Sequence, residues 1–148
     1  MKLKNILSED LVTIDLQGSN KEEIINELLE VLVKNNKLKD KELAFHDIME
    51  RENQMSTGIQ QGVAIPHAKT KAVDNLVACI GVMKCGVDFQ SLDGIASNIF
   101  ILTLSPTDHI GPHVQFLAEI SRIIRTEDAR NKILAATSKK QVLSVFGI

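Results

Sequence analysis

Hydrophobic and polar positions alternate, cluster and break along the chain in a pattern that predicts strands and helices by turns. Residues 11–16, LVTIDL, alternate well enough for a strand. Ser19 and Glu22 then make an S-x-x-E capping box, and Ile24, Ile25, Leu28, Leu29 and Leu32 form one face of a helix that Asn35 and Asn36 end. Asp40 caps a second helix with Leu43, Ala44, Phe45 and Ile48 inward; it is expected to fray near Arg51–Asn53, leaving Arg51 at the mouth of the next loop. Gly58 and Gly62 bracket that loop, and the short β-branched run Val63–Ile65 reads as a strand closed by Pro66 and His67. LVACIGVM (Leu76–Met83) and NIFILTL (Asn98–Leu104) are unbroken apolar runs, the signature of strands buried on both faces, with a turn expected at Gly86–Phe89. Beyond Ser105-Pro106 a helix is expected from Gly111 or Pro112 to Ile124, with His113, Leu117, Ile120 and Ile124 on one side. Thr126 opens another helix, and Ser138 with Gln141 caps a last one ending at Phe146-Gly147. The order implies an α/β single-domain sandwich spanning 1–148, a mixed central β-sheet covered by helices on both faces.

Composition narrows the function classes. The 148 residues are 44% hydrophobic and 24% charged, a profile that can build a folded core. Only 3% are aromatic, with no Trp or Tyr, so stacking of nucleobases is disfavoured, and a net charge of −2 argues against a large nucleic-acid or anionic-membrane footprint. Cys79 and Cys85 read as small core residues, and His46 as structural. The start of the chain does not read as a signal peptide, and Leu76–Met83, the longest apolar stretch, is far short of the ~20 residues of a membrane span, which implies a cytoplasmic protein.

The chemistry centres on three residues. Pro66 stiffens the approach to His67, which the preceding strand presents at its end, where open α/β sheets place their ligands. His113 falls in the first turn of a helix, whose free N–H groups attract an anion and whose field keeps the imidazole neutral, with one N–H to donate. Arg51 supplies a planar cation able to clamp two oxygens of a phosphate or carboxylate, and Ser56 and Thr57 offer hydroxyl donors nearby. Each residue alone has an ordinary reading: a strand-end hydrogen bond, a core imidazole, a solvated helix-end charge. Together they describe an anion pocket with a nucleophile in it, in which an imidazole nitrogen carries a phosphoryl group in labile form while Arg51, His113 and backbone N–H groups neutralise its charge without a metal. His109 and His113 are four apart, a spacing two metal ligands can share, but Gly111-Pro112 places the helix start between them and H-E-x-x-H fails at Ile110.

The segment Ser56-Thr57-Gly58-Ile-Gln-Gln-Gly62-Val-Ala-Ile-Pro66-His67 resembles the phosphorylation-site motif of the type-2 IIA domains of the bacterial phosphoenolpyruvate:sugar phosphotransferase system, the fructose/mannitol family, over nearly the whole chain. Arg51 precedes His67 by 16 residues, as in that family, and His113-Val-Gln-Phe-Leu117-Ala-Glu119 matches its second motif, H-x-x-x-L-A-E. One departure is Gln60, where the family has glycine, and His109 has no family counterpart. The resemblance implies a phosphocarrier: His67 takes a phosphoryl group on its Nε2 (tele) nitrogen from HPr and passes it to a cysteine of a IIB component for sugar uptake. His113 and Arg51 orient and stabilise that group. It implies no cofactor, no metal, no nucleic acid and contact with the membrane only through the IIC permease. The family also includes nitrogen-related regulatory IIA proteins, which control a target protein through the same phosphohistidine, and no residue decides between these branches. A purely structural domain would require the three matched positions to coincide by accident.

Overall fold

A computed structural model describes residues 2–59, 61–108 and 110–148. Two 3₁₀ turns, Leu3–Asn5 and Glu9–Leu11, lead into β1 (Val12–Thr13), α1 (Lys21–Lys34) and α2 (Lys41–Gln54). Then come β2 (Val63–Ala64), β3 (His67–Lys69), β4 (Val77–Val87), β5 (Ser97–Ser105), α3 (Ile110–Ile124), α4 (Glu127–Ala135) and α5 (Lys139–Val145). The sheet runs β1-β4-β5-β2, with β3 also on β5; β4 and β5 are antiparallel and the remaining pairs parallel, so the sheet is mixed as expected.

The continuous apolar runs are explained by burial on both sides. Cys79, Met83, Phe100, Leu102 and Leu104 pack against Ile24, Ile25, Leu28 and Leu29 of α1 and Ala44 and Ile48 of α2. Their sequence neighbours Ala78, Ile80, Val82, Ile99 and Ile101 face Phe116, Ile120, Ile133 and Val142 of α3, α4 and α5. A strand alternates its faces, so a sheet clad twice needs apolar side chains at consecutive positions.

β2 and β3 are one line of chain along β5. Val63 pairs with Ile99 and Ala64 with Phe100, and the same register resumes at His67 with Thr103 and Ala68 with Leu104. Pro66 has no N–H to give, but its carbonyl still accepts from Thr103 N at 2.9 Å. His67 therefore opens a strand, rather than ending one.

Several boundaries differ from the sequence expectation for local reasons. The first strand is only Val12–Thr13, because Glu9–Leu11 turns as 3₁₀ and Thr13 spends its hydroxyl on Asp15 (3.3 Å). Leu16 instead packs over Gly81, where a Cβ would come within 2.6 Å of Leu16 and 2.7 Å of Leu28. The cap of α1 is Asn20, accepting from Glu23 N at 2.9 Å; Ser19 hydrogen-bonds the Glu23 carboxylate, so the capping box is displaced by one residue. α2 runs on to Gln54 and does not fray, since Arg51 Nη1 donates to the Met55 carbonyl (3.0 Å) and Glu52 is buried against Lys21. β4 continues to Val87, absorbing Gly86 at φ +72° as an irregularity in the ladder, so the expected turn begins later. Asp40, Thr126 and Ser138 cap α2, α4 and α5 as read, and Cys79 is core, its thiol pushed up by burial. Cys85 corrects the reading of both cysteines as core: it lies within β4, between Val82 and Val87 where the ladder shifts register, and is exposed. Among the described residues no helix is long and apolar enough to cross a membrane.

The displaced cap is testable: Asn20→Ala is expected to cost about 1 kcal/mol in urea unfolding, and Ser19→Ala clearly less.

Candidate functional site

The site forms where the β2–β3 edge lets both helical layers reach the end of the sheet. His67 begins β3, Arg51 lies in the last turn of α2, and His113 in the first turn of α3. Arg51, His67 and His113, far apart in the chain, line one open pocket of about 400 Å³ together with Lys69. The His67 and His113 rings are 5.6 Å apart between centroids, tilted by 51°.

His67 Nδ1 lies 2.7 Å from the Ile65 carbonyl. A carbonyl oxygen only accepts, so Nδ1 carries the proton and the lone pair of the neutral ring sits on Nε2. Burial holds the pKa of His67 below the usual 6.5, the hydrogen bond to Ile65 works in the other direction, and Arg51 lowers it further against the opposing charge of Glu52. At neutral pH His67 is thus an uncharged imidazole with a directed nucleophilic nitrogen.

His113 is buried, and its Nδ1 lies 2.7 Å from the hydroxyl of Ser105 at the end of β5. Its pKa is pushed down to about 4, first by burial and then by His67 and Lys69. This agrees with the neutral state expected from the helix terminus, but its main cause is burial. With Nδ1 committed to Ser105, a hydroxyl that donates there leaves Nε2–H as the donor of the ring.

Two expected donors are absent from the pocket chemistry. Thr57 Oγ1 donates to Glu52 Oε2 (2.6 Å) and Ser56 Oγ to the Phe89 carbonyl (2.7 Å), so both hydroxyls are spent on shaping the loop. Gln60 and His109 lie outside the described residues. His46 is on the surface beside Glu50 (3.5 Å), and with Asp47 these two place three donor atoms within 4.8 Å of one another on α2, where Asp47 and Glu50 also line the pocket of His67.

Sequence reasoning missed Lys69, Ser105 and Glu52. Lys69 was within reach, because a strand that presents residue 67 presents residue 69 on the same face. Ser105 meets His113 eight positions away, and Glu52 pairs with Thr57 five positions away and Lys21 31 away, contacts that no periodic pattern marks. Beside the pocket a second, apolar recess is lined by Met55, Ile65, Leu92 and Leu117, with Met55 61% and Leu92 73% exposed.

This architecture and chemistry have close relatives. Residues 5–147 match the family model described as phosphoenolpyruvate-dependent sugar phosphotransferase system, EIIA 2. The chain is 33% identical over 146 residues to the PTS system fructose-specific EIIABC component of Bacillus subtilis, covering 99% of this chain but only 23% of that longer protein. It is 32% identical over 144 residues to the PTS system fructose-specific EIIA component of Haloferax volcanii, covering 97% of this chain and 94% of the other. Two solved structures share the fold. The nitrogen regulatory protein IIA-Ntr of Neisseria meningitidis has a TM-score of 0.86 at 22% identity, covering 97% and 98% of the two chains. Enzyme IIAMtl of Escherichia coli, in complex with phosphorylated IIBMtl, has a TM-score of 0.82 at 19% identity, covering 95% and 96%. With a family model matched along almost its whole length and a relative of similar size at 32% identity, the chain belongs to the EIIA 2 family of the phosphoenolpyruvate-dependent sugar phosphotransferase system, a phosphotransferase component.

Proposed function

We propose that this chain, acting as one domain over 1–148 in the cytoplasm, accepts a phosphoryl group on His67 Nε2 from the phosphohistidine of HPr and passes it to a IIB component. The observation that carries the reading is the 2.7 Å bond from His67 Nδ1–H to the Ile65 carbonyl, which leaves Nε2 unprotonated and directed outward in a pocket lined by Arg51, Lys69 and His113.

The Nε2 lone pair attacks phosphorus as the donor N–P bond breaks, and the electron pair leaves with the donor imidazole. The new N–P bond places positive charge on the His67 ring, which the Ile65 carbonyl stabilises through Nδ1–H. Arg51 and Lys69 offset the charge of the phosphoryl oxygens, and His113 donates to them from Nε2. In the return step a cysteine thiolate of IIB forms the S–P bond, the N–P bond breaks, and its electrons return to Nε2. Both substrates are proteins, and the exposed Met55 and Leu92 beside His67 offer the apolar contact area such partners need. The mannitol IIA of like fold that forms a complex with phosphorylated IIB supports a IIB partner, and the fructose-specific relatives support a sugar-uptake role. The nitrogen regulatory protein of like fold supports a second output, in which phospho-His67 governs a target protein.

Incubation with phosphoenolpyruvate, enzyme I and HPr, read by intact mass, is expected to add one acid-labile phosphate. His67→Ala abolishes it, and His113→Ala slows it by about 10²-fold without abolishing it. No phosphate on folded wild-type protein would refute the proposal. Transfer onward to IIB is expected in the uptake role, while retention on His67 in its presence favours the regulatory one.

Acid is expected to switch off acceptance. Below the His67 pKa, itself under 6.5, Nε2 takes a proton and loses its lone pair, so the rate of transfer from phospho-HPr is flat through neutrality and falls on acidification. Arg51 lowers that pKa, so in Arg51→Gln the acid limb of the pH–rate profile moves up, and the rate at pH 7.5 drops by about 10²-fold.

A further inference from the structure

We propose that Glu52 is a positioning residue for phosphoryl transfer, acting with Lys21 and Thr57 as a hydrogen-bonded relay that holds the Ile65 carbonyl in place against His67. The inference rests on the reading of His67 as the phosphoryl carrier and adds residues that never touch the phosphoryl group.

Glu52 sits next to Arg51 on α2 but turns the other way, and is only 3% exposed. Its Oε1 accepts from Lys21 Nζ at 2.9 Å and from Thr57 N at 2.8 Å, and its Oε2 accepts from Thr57 Oγ1 at 2.6 Å. The Thr57 carbonyl in turn accepts from Ile65 N at 3.0 Å, and the Ile65 carbonyl from His67 Nδ1 at 2.7 Å. Contacts at every step thus connect the first turn of α1 to the imidazole. Lys21 is itself held, with its Nζ donating to Gln90 Oε1 (3.1 Å) and lying 4.9 Å from the centre of the Phe89 ring.

A carboxylate buried against a lysine gives little net stability over an apolar pair of the same shape, because both ions lose their water. What three donors on one carboxylate do provide is a single arrangement of the 55–58 loop. That arrangement matters because Ile65 and Pro66 lie in the gap between β2 and β3. The ladder takes the Pro66 carbonyl, through Thr103 N, while the Ile65 carbonyl accepts from the His67 ring. Ile65 is pinned from the loop side through its own N–H to Thr57. If the loop slackens, the carbonyl leaves Nδ1, the proton is free to move to Nε2, and the nucleophilic lone pair points back into the protein. Asp47, Glu50, Arg51 and Glu52 from α2, His113 from α3 and Lys69 on the same strand are the charged or titratable neighbours that would then act on a misplaced ring.

The test uses the full chain with Glu52→Gln, Lys21→Met, Thr57→Val and Thr57→Ser, folding being checked by circular dichroism. Two readouts are taken: the His67 tautomer from imidazole ¹⁵N shifts, and kcat and KM for transfer from phospho-HPr. The relay predicts that Glu52→Gln and Thr57→Val shift His67 from Nδ1–H towards Nε2–H. It also predicts a kcat at least about tenfold lower with KM little changed, and recovery of both readouts in Thr57→Ser. A folded Glu52→Gln protein with wild-type tautomer and kcat would overturn it. Should Glu52→Gln not fold, Thr57→Val, which removes a single hydroxyl, decides by the same criteria. If the wild type takes no phosphate, the phosphocarrier reading falls, while the tautomer shifts still decide whether the relay positions His67.

Discussion

The site depends on one hydrogen bond, from His67 Nδ1 to the carbonyl of Ile65. An imidazole has two nitrogens of similar basicity, and a phosphocarrier must offer the same one at every encounter. Here the choice is made by backbone. The edge strand breaks at Pro66, the register is kept across the break, and Ile65 contributes its carbonyl to the ring. Without the interruption between β2 and β3 this geometry would not arise.

The fold then brings opposite layers to the same spot. Ala68 packs with the α1–α2 layer, and Ile65 with the α3–α5 layer. A sheet edge is the place where both layers can reach one side chain, so Arg51 comes from one and His113 from the other. The electrostatics follow from that convergence. Burial lowers the pKa of both imidazoles first; Arg51 adds to the fall at His67, and His67 and Lys69 add to it at His113, whose ring centroid lies 5.6 Å from that of His67. The result is a neutral imidazole in a pocket lined by the cations Arg51 and Lys69 and the carboxylates Asp47 and Glu50, which can meet a phosphoryl group without a competing proton on the ring.

Residues hidden beneath the pocket carry part of the burden. Ser105 sets which nitrogen of His113 faces inward, and Glu52 organises the loop from which Ile65 hangs. The hydroxyls of Ser56 and Thr57 belong to this support rather than to the pocket, as the bonds they already make show. Supporting groups of this kind orient the groups that react, and their side chains need not line the site at all.

The chain by itself determined the layers and the family. Two unbroken apolar runs required a sheet clad on both faces, as the alternating contacts of Ala78, Cys79 and Ile80 bear out. Amphipathic spacing located the helices, and the motif around His67, with Arg51 and His113 at their separations, named the family. Local signals erred where one residue competes with its neighbour: Asn20 for Ser19 as a cap, Leu16 over Gly81 in place of a longer strand, Gly86 absorbed in β4. Only the tertiary structure decided the tautomer of His67, the burial that holds His113 near 4, and the pairing of Glu52 with Lys21 across 31 residues. The physical reason is common to all three. Periodicity reports which face of an element is apolar, whereas a proton's position and a carboxylate's partner depend on atoms brought within 3 Å by chain folding over long separations, which no local pattern records.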